Sequence, residues 1–306
     1  MAPLAATDVD EIRTYLTAAR ADVLQWLPDF EWTAAWKSEA ATERANMERR
    51  LDGSPWGAQP LIWTDATAWF FISAVVDCID AICLCITIDT PTLVPNALTR
   101  VALEAGAKAS WLLQPGVGAR SRVARRILIH HASARQIRST VSAVNSQRRP
   151  SPRWRAAEYP PTNAAVLREA HDLDLCCRYE EQRADHGETR RLFTCDGQAL
   201  PTTTRLASDF AAKIQTPGAY AIWSNAVHAG WSAITADWSP ATMTRTTHRE
   251  SLWAAAINAA ACAMDPCLDA LVHLGSGARL AQWNQSHTRN RSVVQRMNLP
   301  FDWTSP

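Results

Sequence analysis

Two aspartates, Asp77 and Asp80, interrupt the run from Ala68 to Ile88, which is otherwise almost entirely apolar. Carboxylates three residues apart share one helix face. In a helix buried on all sides they must pair with a base, bind a metal or take up a proton. Together with Glu104, His130 and His228 they would form an oxygen-and-nitrogen ligand set inside a helical bundle. No Glu-x-x-His motif accompanies them. The expectation is therefore no resident cofactor, with a divalent cation at Asp77 and Asp80 as the alternative.

A second set lies between Ala119 and Val144. At about 100° per residue, Val123, Ile127, Ala134, Ile137 and Val141 make an apolar stripe with His130 in its middle. Arg126 and His131 stand at its two edges. An unpaired buried charge is costly, so a base on an apolar face needs a partner. His130 reads either as a core histidine bonded to a carbonyl or carboxylate, or as a general acid or base. From Gly218 to Asp237, Tyr220, Ser224 and His228 recur every fourth residue and form a polar ridge. Ser beside His is the pairing of an activated hydroxyl, but no nucleophile elbow or oxyanion loop accompanies it. From Pro95 to Leu113, Arg100, Glu104 and Lys108 repeat the same spacing. They form either an intrahelical ion-pair ladder or groups turned inward to meet His130 or His228. Of 14 tryptophans, Trp63, Trp69, Trp111, Trp223, Trp231 and Trp253 fall near these polar residues. They read as core packing or as the walls of a pocket for an apolar or cationic ligand.

The elements that must position these groups are helices. The pattern predicts them over Thr7–Leu27, Trp32–Leu51, Pro60–Asp89, Pro95–Leu113, Ala119–Val144, Asn163–Gln182, Gly218–Asp237 and His248–Leu274, with a last one running to about Met297. Gly275-Ser276-Gly277 ends the eighth. Asn145 to Thr162, with four Arg and four Pro, reads as a basic loop. Asp196-Gly197 sits between two short runs, so Arg191 to Thr204 reads as a small β-hairpin or an ordered loop. No repeat and no βαβ alternation is visible, which argues against a nucleotide-binding α/β fold. The expected fold is all-α: a multi-helix bundle around the central apolar helix, with a small β-hairpin near 191–204. It is expected as a single domain over 1–306, with peripheral N-terminal helices in 1–55 and the core bundle in 56–306.

Composition narrows the function classes. A net charge of +1 supplies no global basic field for nucleic acid or anionic membranes. Lys37, Lys108 and Lys213 are the only lysines, and the rest of the 31 basic residues are Arg. None of the eight cysteines forms a CxxC pair, which favours free thiols in a reducing compartment. Met1 to Asp10 has neither a basic nor an apolar signal region, so a cytoplasmic protein is expected. Each Asp at a helix centre opposes membrane insertion by about 2.5–3.5 kcal/mol, so the Ala68–Ile88 run reads as a bundle core and no membrane partner is expected.

Two stretches, RVALEAGAKASWLLQPG (Arg100 to Gly116) and YAIWSNAVHAG (Tyr220 to Gly230), resemble helices of a bacterial helical family similar to HEPN-type bundles. The Arg-x4–6-His motif of HEPN ribonucleases is matched by RRILIHH, where Arg125 precedes His130 and Arg126 precedes His131. The resemblance implies a homodimer acting on RNA, with Arg126 on the phosphate and His130 or His131 as acid or base. Two alternatives remain open. One is an enzyme for a small apolar or aromatic molecule. Arg100, Asp77, Asp80, Tyr220, Ser224, Trp111, Trp223 and Trp231 would bind its substrate, and Glu104 and His228 would join the chemistry. The other is a non-enzymatic helical interaction module.

Overall fold

The computed structural model describes residues 4–26, 38–48, 58–87, 93–147, 163–183, 189–228, 238–239, 244–245, 249–275, 280–281 and 283–284. Among these residues it has nine helices: α1 (Ala6–Trp26), α2 (Glu39–Glu48), α3 (Gln59–Cys85), α4 (Leu93–Leu113), α5 (Ala119–Gln147), α6 (Asn163–Asp172), α7 (Thr203–Lys213), α8 (Ala219–Val227) and α9 (Arg249–Leu274). A three-stranded antiparallel sheet, in the order β1 (Cys177–Arg183), β2 (Thr189–Cys195), β3 (Gln198–Ala199), lies between α6 and α7. β4 (Trp238–Ser239) and β5 (Thr244–Arg245) form a two-residue pairing. The all-α bundle with one small hairpin is thus the observed architecture. The chain divides into two compact units, 1–42 with 65–115 and 202–306, and 43–64 with 116–201.

In the larger unit, α4 and α9 pack most extensively among the described helix pairs. Both present small residues: Ala102, Ala105 and Ala109 on one side, Ala255, Ala256, Ala259 and Ala263 on the other, all buried. Small side chains let the axes approach closely. At Gly106 the approach leaves no room, since a Cβ there would lie 2.6 Å from the Cys262 carbonyl oxygen. Gly106→Ala is therefore expected to cost about 1–3 kcal/mol by overpacking. A urea midpoint equal to that of the wild type would show that the helices part freely.

Ile72, Val75, Ile79 and Ile82 of α3, and Ile86 just after it, are fully buried. Their alternating spacing of three and four residues is the a/d seam of helix packing. The opposite line, Trp63, Phe70, Asp77 and Leu84 at spacings of seven, is exposed. This corrects the reading of Asp77 as a buried carboxylate. Composition hid the exposed side because three of its four residues are apolar. Asp80 is part-exposed and forms an ion pair with Arg20 of α1 at 2.7 Å. Both α3 and α9 are long and apolar enough to cross a membrane, a test that buried core helices also pass.

In the smaller unit α5 packs against α6 and the sheet. The helix predicted over Asn163–Gln182 stops at Asp172. Asp174 adopts a positive φ of 51°, and Leu175 N–H donates to the Ala170 carbonyl while Asp174 N–H donates to that of His171. This is a Schellman ending, with buried Leu175 and Ala170 as its apolar contact. The next residues pair with β2, Cys177 opposite Cys195 through Arg183 opposite Thr189. The Asp196-Gly197 turn joins β2 to β3, as its sequence predicted. Arg120 grips the Asp196 carboxylate at 2.6 and 3.0 Å and the Asp174 carbonyl at 2.6 Å, fastening both strained aspartates.

Candidate functional site

In the larger unit, α4 and α8 bring four of the expected residues together. Arg100 Nε donates to Glu104 Oε1 at 2.9 Å, and Arg100 Nη2 donates to Tyr220 Oη at 3.3 Å. Tyr220 Oη in turn donates to Glu104 Oε1 at 3.3 Å. The guanidinium lies 5.3 Å from the Tyr220 ring centre and reaches the Ser224 carbonyl at 3.5 Å. Arg100 and Glu104 do turn inward, and the partner they meet is Tyr220. His228 follows the last turn of α8 and is exposed. Trp111 is half-buried on α4, and Trp231 lies outside the described residues.

The same helices wall a cavity of about 450 Å³. Asn96, one turn before Arg100 on α4, lines it with Trp223 and Ile222 of α8, Thr216 and Pro217 before α8, and Ser251, Ala254 and Asn258 of α9. Thr216 is placed by a second Schellman ending. Gln215 at φ 61° closes α7, and Thr216 N–H donates to the Ala211 carbonyl. Asn258 is buried; its Nδ2 donates to the Ala254 carbonyl at 2.7 Å, and its Oδ1 has no donor. A buried acceptor left without a donor costs about 1–3 kcal/mol. None of the described cavity-lining residues carries a charge.

A third cluster, in the same unit, was not foreseen. Lys213 Nζ, at the end of α7, is 2.6 Å from both Asp265 Oδ2 and Asp269 Oδ2 of α9. It also donates to Ser110 Oγ of α4 at 3.0 Å, while Ser110 donates to Asp269 at 2.7 Å. A Ser–Lys pair resembles a nucleophile with its base, which requires a neutral amine. Burial pulls the Lys213 pKa down, but Asp265 and Asp269 outweigh burial and hold it above the ordinary lysine value. The amine therefore keeps its proton at neutral pH, and the cluster binds three helices together rather than activating Ser110. Another buried polar group joins His273 of α9 to Glu39 at 3.5 Å and to Asp65 at 3.7 Å.

In the smaller unit Arg126 and His131 are withdrawn from solvent. The Arg126 side chain is 3% exposed, pairs with Glu169 of α6 at 2.5 Å and lies over the Trp63 ring at 5.7 Å. His131 is buried and stacks on Phe193 of β2, ring centres 3.7 Å apart and planes within 17°. His130, placed by the sequence in the middle of the apolar stripe, is only half-buried. Burial and then Arg126 lower the His130 pKa against the pull of Glu169; burial and then Arg135 lower that of His131. The Arg126 and His131 side chains are thus covered by neighbouring residues of the same unit. Comparison with family models, curated proteins and solved structures finds no match in any of the three.

The cavity residues Asn96, Ser251 and Asn258 on helices and Thr216 between two helices escaped the sequence reading because isolated neutral polar residues carry no distinctive spacing. Lys213 had a usable signal. Thr202 followed by apolar Leu206, Ala207, Phe210 and Ala211 is an N-cap before an amphipathic helix, and Thr202 Oγ1 does cap the Arg205 N–H at 3.2 Å.

Proposed function

We propose that the larger unit binds a small, uncharged, partly apolar molecule in the cavity between α4, α8 and α9. The observation that carries this reading is the buried Oδ1 of Asn258, an acceptor without a donor in the cavity wall. Oδ1 is fully covered as it stands, so a ligand N–H or O–H would satisfy it once the Asn258 amide turns toward the cavity, and the ligand body would lie against Trp223 and Ile222. The volume lies within the usual range of ligand pockets, about 300–1,000 Å³. The described lining is uncharged and favours a neutral ligand, because an ion would lose its hydration with no counter-charge among these residues. The cavity supplies hydrogen bonds and apolar area, with Ser251 and Thr216 as the only hydroxyl groups among its described lining residues. The reading is therefore of a binding site, with Arg100, Glu104 and Tyr220 fixing the α4–α8 seam beside it.

Ligand-observed NMR with a fragment panel tests it: indole, benzamide, toluene and benzoate. Indole and benzamide, each a ring with an N–H donor, should bind the wild type and weaken about tenfold or more in Asn258→Leu, the factor corresponding to one lost hydrogen bond of about 1.4 kcal/mol. Toluene should be insensitive to Asn258→Leu, and benzoate should not bind. Equal binding of all four to wild type and variant, or binding of none, would remove the proposal.

A further inference from the structure

The face of the small sheet that carries Phe193 also carries two thiols with an unusual relation. Cys177 and Cys195 are directly opposed in the β1–β2 register, and Cys177 Sγ donates to Cys195 Sγ at 2.9 Å. The ladder identifies the kind of pair. Asp196 N–H donates to the Cys176 carbonyl at 2.8 Å, so the bonds flank Cys177 and Cys195 rather than join them. In such a non-hydrogen-bonded pair the Cα atoms stand about 4.5 Å apart and the side chains are at their closest. That spacing falls inside the range of about 4.4–6.8 Å over which disulfides form. Both sulfurs are already in contact, so bond formation needs only a turn about the side-chain torsions.

We infer that Cys177 and Cys195 are a reversible dithiol–disulfide site that takes a low-molecular-weight disulfide of the glutathione class as its oxidant. Cys177 is half-buried and Cys195 fully buried, which sets the order of events. The Cys177 thiol loses its proton and attacks one sulfur of the oxidant, releasing one small thiol and leaving a mixed disulfide. Cys195, deprotonated in turn, attacks the Cys177 sulfur and expels the second small thiol. Two protein thiols are oxidised and one external disulfide is reduced to two thiols. Burial holds both protein thiols above the ordinary cysteine value, so little of Cys177 is thiolate at neutral pH and its attack on the oxidant is slow. The exposed Cys176 is the neighbouring alternative, but it precedes the register position opposite Cys195. The consequence lies two residues along each strand. Tyr179 and Phe193, also register partners, pack on each other and on His131. A bond between Cys177 and Cys195 would tie the two strands that hold the imidazole.

The test uses the reduced full chain treated with oxidised glutathione, then alkylated with iodoacetamide under denaturing conditions and digested with trypsin. Peptide 169–178, alkylated once at Cys176, should appear joined to peptide 192–205, lighter by two hydrogens than the two reduced peptides plus one carbamidomethyl group, and dithiothreitol should separate them. Cys176→Ser should keep the joined peptide, and Cys177→Ser should lower its yield about tenfold or more. Full alkylation of both peptides in the oxidised wild type would overturn the inference. So would a joined peptide that survives Cys177→Ser, since Cys176 would then be the partner.

Discussion

Lys213→Met is expected to destabilise the larger unit by about 2–4 kcal/mol at pH 7, somewhat below the 3–5 for stripping the partner from a fully buried pair, because the lysine side chain is itself 42% exposed. The variant leaves Asp265 and Asp269 facing each other with their only described cation removed. Burial already holds the Asp265 pKa above the ordinary carboxylate value, and Lys213 opposes that rise. Without Lys213 the folded-state pKa climbs further. A carboxylate whose folded pKa exceeds its unfolded one favours the folded state when protonated, so stability falls as pH rises through the interval between the two values. The variant's deficit should therefore shrink as pH is lowered from 7 towards about 4. Urea unfolding of both proteins at pH 7, 5.5 and 4.5 measures this. A deficit below about 0.5 kcal/mol at pH 7, the size of an ordinary surface substitution, would show that the cluster is solvated. A deficit of the same size at all three pH values would show that packing, not charge, is what Met replaces poorly.

That cluster also marks where the sequence was legible and where it was not. Long amphipathic segments were visible from periodicity alone, and so was the stop at Gly275, where an added Cβ would lie 2.1 Å from the Leu271 carbonyl oxygen. Arg100, Glu104, Tyr220 and Ser224 were also visible, because charged and hydroxyl groups at i, i+4 on apolar helices must find partners. What could not be read was which apolar-looking helix had a wet face. On α3 Phe70 and Leu84 are exposed, so Asp77 sits in solvent. On α9 the residues around Asp265 and Asp269 are nearly all buried, and the paired carboxylates of the core are there. Hydrophobicity reports what a helix could bury; long-range packing decides what it does bury. The β1 strand was hidden for a related reason. Residues 177–183 are mostly charged or polar without an apolar stripe, and their strand conformation comes from pairing with β2, whose residues stand 6 to 18 positions further along the chain. His130 and His131 were exchanged in burial because the helix wheel of α5 has a second packed side, where Phe193 covers His131.

Glu169→Gln should cost the smaller unit about 2–3 kcal/mol, because it leaves the Arg126 guanidinium buried with its charge uncompensated. Arg126 has little reserve: its Nε is already buried without an acceptor. The Trp63 ring under it offers a cation–π contact of about 0.5–2 kcal/mol, which keeps the loss below the full penalty for a stranded charge. The decisive comparison is the pair replaced together, Arg126→Met with Glu169→Leu. Replacing a buried ion pair by apolar residues of similar volume is often neutral or stabilising, so the double variant should recover most of what Glu169→Gln loses. Chemical denaturation of the wild type, Arg126→Met, Glu169→Leu and the double variant gives the coupling energy directly. Recovery would assign Arg126 to holding α5 against α6, and a role for it in chemistry would then have no support from its surroundings. A double variant as unstable as the single one would mean that the guanidinium does something methionine cannot. The Trp63 face and the unsatisfied Nε are the two places in the structure where that something would be found.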